Sequence, residues 1–140
     1  MESEAFEFVA HTADVAALVR GRTMAELLRS AADALYSLVM AVPEVAATHR
    51  RSISIESIDS DTLLVDWLNE LIYLFYAEGL AFSEFRFDEL DDTRLQAECI
   101  GEQLDLSQRR MNREVKAATY HMAHVSRVGE RLVARIVFDI

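Results

Sequence analysis

The chain predicts an α+β fold, a mixed β-sheet with two α-helices packed on one face. Three observations lead there. Several short segments alternate with period two, and from Phe82 onward that period prevails, the mark of half-buried strands. Two segments instead carry apolar residues at helical spacing behind clear N-terminal caps. The order reads two strands, a helix, a strand, a helix and four further strands, which is the mixture of an α+β architecture.

Taken in order, Phe6-Glu7-Phe8-Val9 alternates apolar and acidic residues as a strand does, and His11-Thr12-Ala13-Asp14 forms a polar turn. Val15 to Arg20 is a second strand, ended by Gly21. Thr23 with Glu26 makes a capping box, each side chain able to bond the other residue's backbone N–H. Met24, Leu27, Leu28, Ala31, Leu35, Leu38 and Val39 follow as one apolar stripe, and Pro43 is the expected stop. His49 to Ile58 alternates again. Asp59-Ser60-Asp61 offers N-caps for a helix from Thr62 to about Glu78, with Gly79 as its C-terminal cap. Its Leu64, Trp67, Leu68, Leu71 and Phe75 face, widened by Leu63, Ile72 and Leu74, points to deep burial. Phe82 to Phe87 and Leu95 to Ile100 read as strands around an Asp91-Asp92 turn. Gly101 to Glu114 is a surface excursion. Val115 to Val125 and Leu132 to Asp139 then close the chain as strands about a Gly129-Glu130 hairpin.

Composition bounds the class. With 51% apolar and 27% charged residues and four glycines, the chain is neither disordered nor fibrous. No repeat or linker divides it, so a single domain over residues 1–140 is expected. The lone Cys99 excludes an internal disulfide framework and a cysteine-rich zinc site. The acidic start, Met-Glu-Ser-Glu, is unlike a secretory signal, and the longest apolar run, Leu71 to Ala77, is far below the roughly 20 residues of a membrane span. The expected setting is cytoplasmic. A net charge of −10 repels phosphate backbones, so no stable direct binding of nucleic acid is expected; it suits a cation, a basic protein surface, or simply solubility. Lys116 is the sole lysine among fourteen basic residues. A compact ammonium kept among so many guanidinium groups suggests a role that a planar fork cannot fill.

Three places offer chemistry. Asp14, in the turn between the first two strands, either ligates a hard cation or closes an Asx turn. At the other end, Asp139 and the α-carboxylate of Ile140 give two neighbouring anionic oxygens on an apolar strand, or an ordinary solvated terminus. Asp14 adds a third oxygen if the closing strand neighbours the first pair, and three such groups repel one another unless a cation or base lies between them. In the third place, Lys116 to His124, the ammonium of Lys116 can reach a carboxylate cluster or donate to a phosphate. His121 and His124, three apart on a strand, point to opposite faces and do not suggest a shared metal. Enzyme templates fit poorly, since the chain has no glycine-rich phosphate loop and no nucleophile elbow, and Cys99 has no evident base.

Four segments then resemble one known family. His11-Thr12-Ala13-Asp14, Leu64-Val65-Asp66-Trp67-Leu68-Asn69-Glu70-Leu71, Val115-Lys116-Ala117-Ala118-Thr119-Tyr120-His121 and the ending Val137-Phe138-Asp139-Ile140 are similar, in order, to the signature segments of the archease family. The likeness spans essentially the whole chain. It departs at Val15-Ala16, where relatives place a glycine soon after the aspartate, which removes no ligand. The resemblance implies an accessory protein, not itself an enzyme, that serves an RtcB-type RNA ligase. That ligase joins a 3′-phosphate or 2′,3′-cyclic phosphate end to a 5′-hydroxyl in tRNA splicing and RNA repair, after guanylylation on a histidine. The accessory protein promotes that step and multiple turnover. The family's metal site maps onto Asp14, Asp139 and Ile140, and its functional lysine onto Lys116; His11 either donates to the cluster or holds the turn. Oxygen ligands favour calcium, magnesium or manganese over zinc. Transient contact with GTP bound to the ligase is a further implication. Trp67 reads as core, and Asn69 and Glu70 as capping or pairing with neighbouring strands. The competing readings are a stand-alone metal-dependent hydrolase and a chaperone-like binding module without chemistry.

Overall fold

The structure, a computed structural model, describes residues 5–10 and 14–140. Strands β1 (Phe6–Ala10) and β2 (Asp14–Gly21) precede helix α1 (Met24–Val39), β3 (His49–Glu56) and helix α2 (Ser60–Glu78). Strands β4 (Leu80–Leu90), β5 (Arg94–Gln103), β6 (Ala117–Val128) and β7 (Arg131–Asp139) complete the order. No helix among the described residues is long and apolar enough to cross a membrane.

The α+β class and its two helices are as expected. The strands, however, form two sheets, β1-β2-β7-β6 and β3-β5-β4, and every neighbour is antiparallel, in place of one mixed sheet. The reason lies in the connections. Strands next to each other in the chain pair as β1 with β2, β4 with β5 and β6 with β7, and connections this short allow only the antiparallel sense. Helix α1 carries the chain from the four-stranded sheet to the three-stranded one, α2 links β3 to β4 within the latter, and both helices contact strands of both sheets. A helix apolar over most of its circumference, as α2 is, needs such cover on more than one side. Trp67 is fully buried at its centre, its ring against Phe85 and Phe87 of β4 and its Nε1–H donating to the Leu28 carbonyl of α1 at 3.0 Å.

Local signals set the helix ends. The Glu26 N–H donates to Thr23 Oγ1 at 3.2 Å, while the Glu26 carboxylate accepts from the Arg22 N–H, one residue earlier than a strict capping box requires. Helix α1 ends at Val39 and not at Pro43, because Met40 turns extended and bridges to Met111. Asp59 caps α2 by accepting from the Thr62 N–H at 2.8 Å, and Gly79 closes it at φ 72°, where a side chain would be strained. The excursion after β5 is tied down along α1: the Ala41 N–H donates to the Arg110 carbonyl, and the Asn112 and Arg113 N–H groups to those of Val39 and Leu38. Strand β6 starts at Ala117, two residues later than expected, because the Val115 N–H is taken by the Tyr76 hydroxyl at 3.0 Å.

Candidate functional site at the end of the four-stranded sheet

Strand pairing decides what meets at this end. The register of β2 on β7 sets Asp14 directly opposite Asp139, and that of β6 on β7 sets Ala117 opposite the same Asp139. The Lys116 N–H donates to the Asp139 carbonyl at 2.8 Å, one residue before Ile140. Asp14, Lys116, Asp139 and Ile140 therefore come together, while the expected turn residue His11 lies outside the described residues.

Alternation fixes the faces. Val15, Ala17 and Val19 of β2 and Ala134, Ile136 and Phe138 of β7 are buried under the helices, so Asp14 and Asp139 stand on the opposite face. Residues directly opposite on antiparallel strands hold their Cβ atoms about 4.5–5.5 Å apart, and like charges in that relation are destabilising. Among the described residues neither carboxylate has an ion pair. Two unneutralised carboxylates at such spacing fit a hard divalent cation held by oxygen. No group of three or more His, Cys, Asp and Glu among the described residues is gathered to hold a metal, so a third protein oxygen would come from outside those side chains.

Lys116 is positioned from α2. Asn69 donates to the Ala118 carbonyl and accepts from the Ala118 N–H, both at 2.9 Å, so its carboxamide occupies the free edge of β6 as a neighbouring strand would. With Tyr76 holding Val115, the backbone on either side of Lys116 is anchored to the helix. The Lys116 side chain is exposed, has no ion pair among the described residues, and lines a groove with Asn69, Ile72, Tyr73, Tyr76 and Ala77 of α2. The ammonium thus serves the helix side of the sheet end and the carboxylates the other side.

The remaining candidates separate from this place. His124 pairs with Asp61 of α2 at 3.2 Å and not with His121; the β6–β7 register shifts between Thr119 and His124, where Met122 takes φ 59°. Tyr120 and Ser57 both donate to Asp66 of α2, and the bond to that carboxylate raises the Tyr120 pKa above its ordinary value. Cys99 is buried in β5 with its thiol pushed up to about 12, chiefly by burial, which suits packing and not nucleophilic attack. Sequence reasoning missed Tyr73 and Tyr76, which are hidden in an apolar run. Their signal was positional: both fall on the side of α2 that the Leu64, Trp67, Leu68, Leu71 and Phe75 stripe leaves uncovered.

Comparison with known proteins places the chain among relatives of one kind. The model of the Archease protein family (MTH1598/TM1083) matches residues 6–140. The protein archease of Methanosarcina barkeri is 32% identical over 99% of this chain and 98% of its own length, and that of Methanopyrus kandleri 35% over 96% and 99%. The solution structure of Methanobacterium thermoautotrophicum protein 1598 superposes with a TM-score of 0.81 at 29% identity, covering 99% of this chain and all of that one. A Thermotoga maritima crystal structure, described as an archease and possible chaperone, shares the fold at a TM-score of 0.66 and 22% identity.

Proposed function

Because the chain belongs to the archease family, we propose that it is an accessory protein of an RtcB-type RNA ligase, with no ligation chemistry of its own. In this reading it promotes guanylylation of the ligase and repeated turnover in tRNA splicing and RNA repair, in the cytoplasm. The observation that carries the reading is the register of Asp14 on Asp139, with the Lys116 N–H bonded to the Asp139 carbonyl. Asp14, Asp139 and the α-carboxylate of Ile140 would hold a divalent cation, calcium, magnesium or manganese. Bound there, such a cation supplies positive charge for phosphate oxygens. The chain's own contribution is to fix the two carboxylates on adjacent strands, so that no rearrangement is needed when they meet the ligase's nucleotide site. Lys116, anchored through Val115 and Ala118, offers an ammonium that contacts either the nucleotide's phosphates or the ligase. The charge of −10 steers the protein toward a partner whose surface is basic for RNA.

The test is ligation of an RNA with a 3′-phosphate end. The protein alone is expected to join nothing, and to raise the product formed per ligase many-fold when added to it. Asp14→Ala, Lys116→Ala and Asp139→Ala should each abolish that gain while the melting temperature stays close to that of the unsubstituted protein. Normal stimulation by all three variants would remove the site from consideration.

A further inference from the structure

Helix α2 buries most of its surface, yet it leaves two aromatic rings outside. Tyr73 is 60% exposed and Tyr76 40%, one turn apart and beside the start of β6. They line the groove of about 450 Å³ whose other walls are Asn69, Ile72, Ala77 and Lys116. Its polar groups are largely committed. The Asn69 carboxamide is spent on Ala118, and the Tyr76 hydroxyl accepts from the Val115 N–H. Among the described residues, the Tyr73 hydroxyl and the Lys116 ammonium are without partners, and two rings are held beside them on a rigid helix. Rigid, amphipathic rings of this kind give large contact area at low entropic cost and dominate the energetics of protein interfaces. The groove ends at the same place in the sheet as the carboxylates, on the other face, because Lys116 lines it and donates its backbone N–H to the Asp139 carbonyl. A partner that contacts the Lys116 ammonium therefore also covers Tyr73 and Tyr76.

We propose that the α2–β6 groove is the anchoring surface for the ligase, with Tyr73 and Tyr76 as the apolar anchors and Lys116 as the charged contact between them and the carboxylates. This rests on the accessory reading above. A protein is favoured over a small molecule, because pockets for small ligands bury most of the ligand's surface and this groove is open, with Tyr73 mostly in solvent. The matching surface has an apolar recess for Tyr73, an acidic group for Lys116, and a basic rim facing the acidic remainder of this chain.

The experiment titrates the protein against a fixed amount of RtcB-type ligase with a 3′-phosphate RNA, and reads half-saturating concentration and plateau separately. Tyr73→Ala should raise the half-saturating concentration about tenfold or more and leave the plateau unchanged, whereas the distant exposed Val128→Ala should behave as the unsubstituted protein. Asp139→Ala should show the reverse, a lost plateau with binding to the ligase retained. Unchanged half-saturation for Tyr73→Ala, or a lowered plateau at normal half-saturation, overturns the anchoring role while leaving the accessory reading intact. A dimer in sedimentation that Tyr73→Ala dissolves, or binding of free guanosine monophosphate that it abolishes, also overturns it by assigning the groove to a second copy or to a nucleotide. Absence of stimulation by the unsubstituted protein is a different failure, that of the accessory reading itself.

Discussion

Replacing Asn69 by alanine isolates the device that docks β6 onto α2. The carboxamide makes two hydrogen bonds of 2.9 Å to the backbone of Ala118, a residue only 3% exposed. Removing it strands one N–H and one carbonyl that water reaches poorly, and each orphaned buried group costs about 1–3 kcal/mol. Some rehydration at a sheet edge brings the pair to about 2–3 kcal/mol. For a chain of this size 1 kcal/mol moves the melting temperature by about 4 °C, so Asn69→Ala should melt roughly 10 °C lower by circular dichroism. Asn69→Asp keeps the acceptor for the N–H but sets a carboxylate against the Ala118 carbonyl, so it should fall at least as far. A decrease under about 2 °C for both would refute the claim that this side chain supports the strand edge.

Two further outcomes follow from charges at known positions. With Asp14 opposite Asp139, millimolar calcium should raise the melting temperature of the unsubstituted protein and leave Asp139→Asn unaffected. In a chelator the variant should be no less stable, and about 0.5 kcal/mol more stable if the repulsion is of ordinary size; an equal calcium response in both proteins would count against a cation at the pair. Separately, the Arg51 guanidinium donates to Glu78 at 2.6 Å and holds its carboxyl below the usual value of 4.5. A carboxyl depressed in the folded state contributes stability above its unfolded pKa and loses it as pH falls through the folded one. The advantage of the unsubstituted protein over Arg51→Gln should therefore be present at pH 6 and shrink steadily as pH is lowered beneath the usual carboxyl value in thermal melts.

What could be read from the chain tracks how local each feature is. Asp59, Thr23 and Gly79 mark helix ends because a cap involves residues within four of one another. The burial of Trp67 was legible because it sits in the middle of an apolar helical stripe. The division into two sheets was not, because alternation along β3 tells which face is buried but names no partner, and its partner β5 lies some forty residues on. The expected reach of Lys116 toward the carboxylates met a similar limit: the backbone is adjacent, but the side chain lines the α2 groove, a result that depends on Tyr76 and Asn69 gripping the residues around it.

Composition and periodicity by themselves determined the class of fold, the presence of both helices, the buried stripe of α2 and the acidic character of the chain. Those are properties of short windows and sums, and neither depends on which strand finds which. Likeness to a family pointed to Asp14, Asp139, Ile140 and Lys116, but only tertiary pairing brought residues from opposite ends of the chain into one register. A shift of a single residue in β2 against β7 would turn every side chain of the strand to its other face and take Asp14 away from Asp139. Burial of Val15, Ala17 and Phe138 beneath the helices is what forbids that shift, so the core on one face of the sheet holds the carboxylates together on the other.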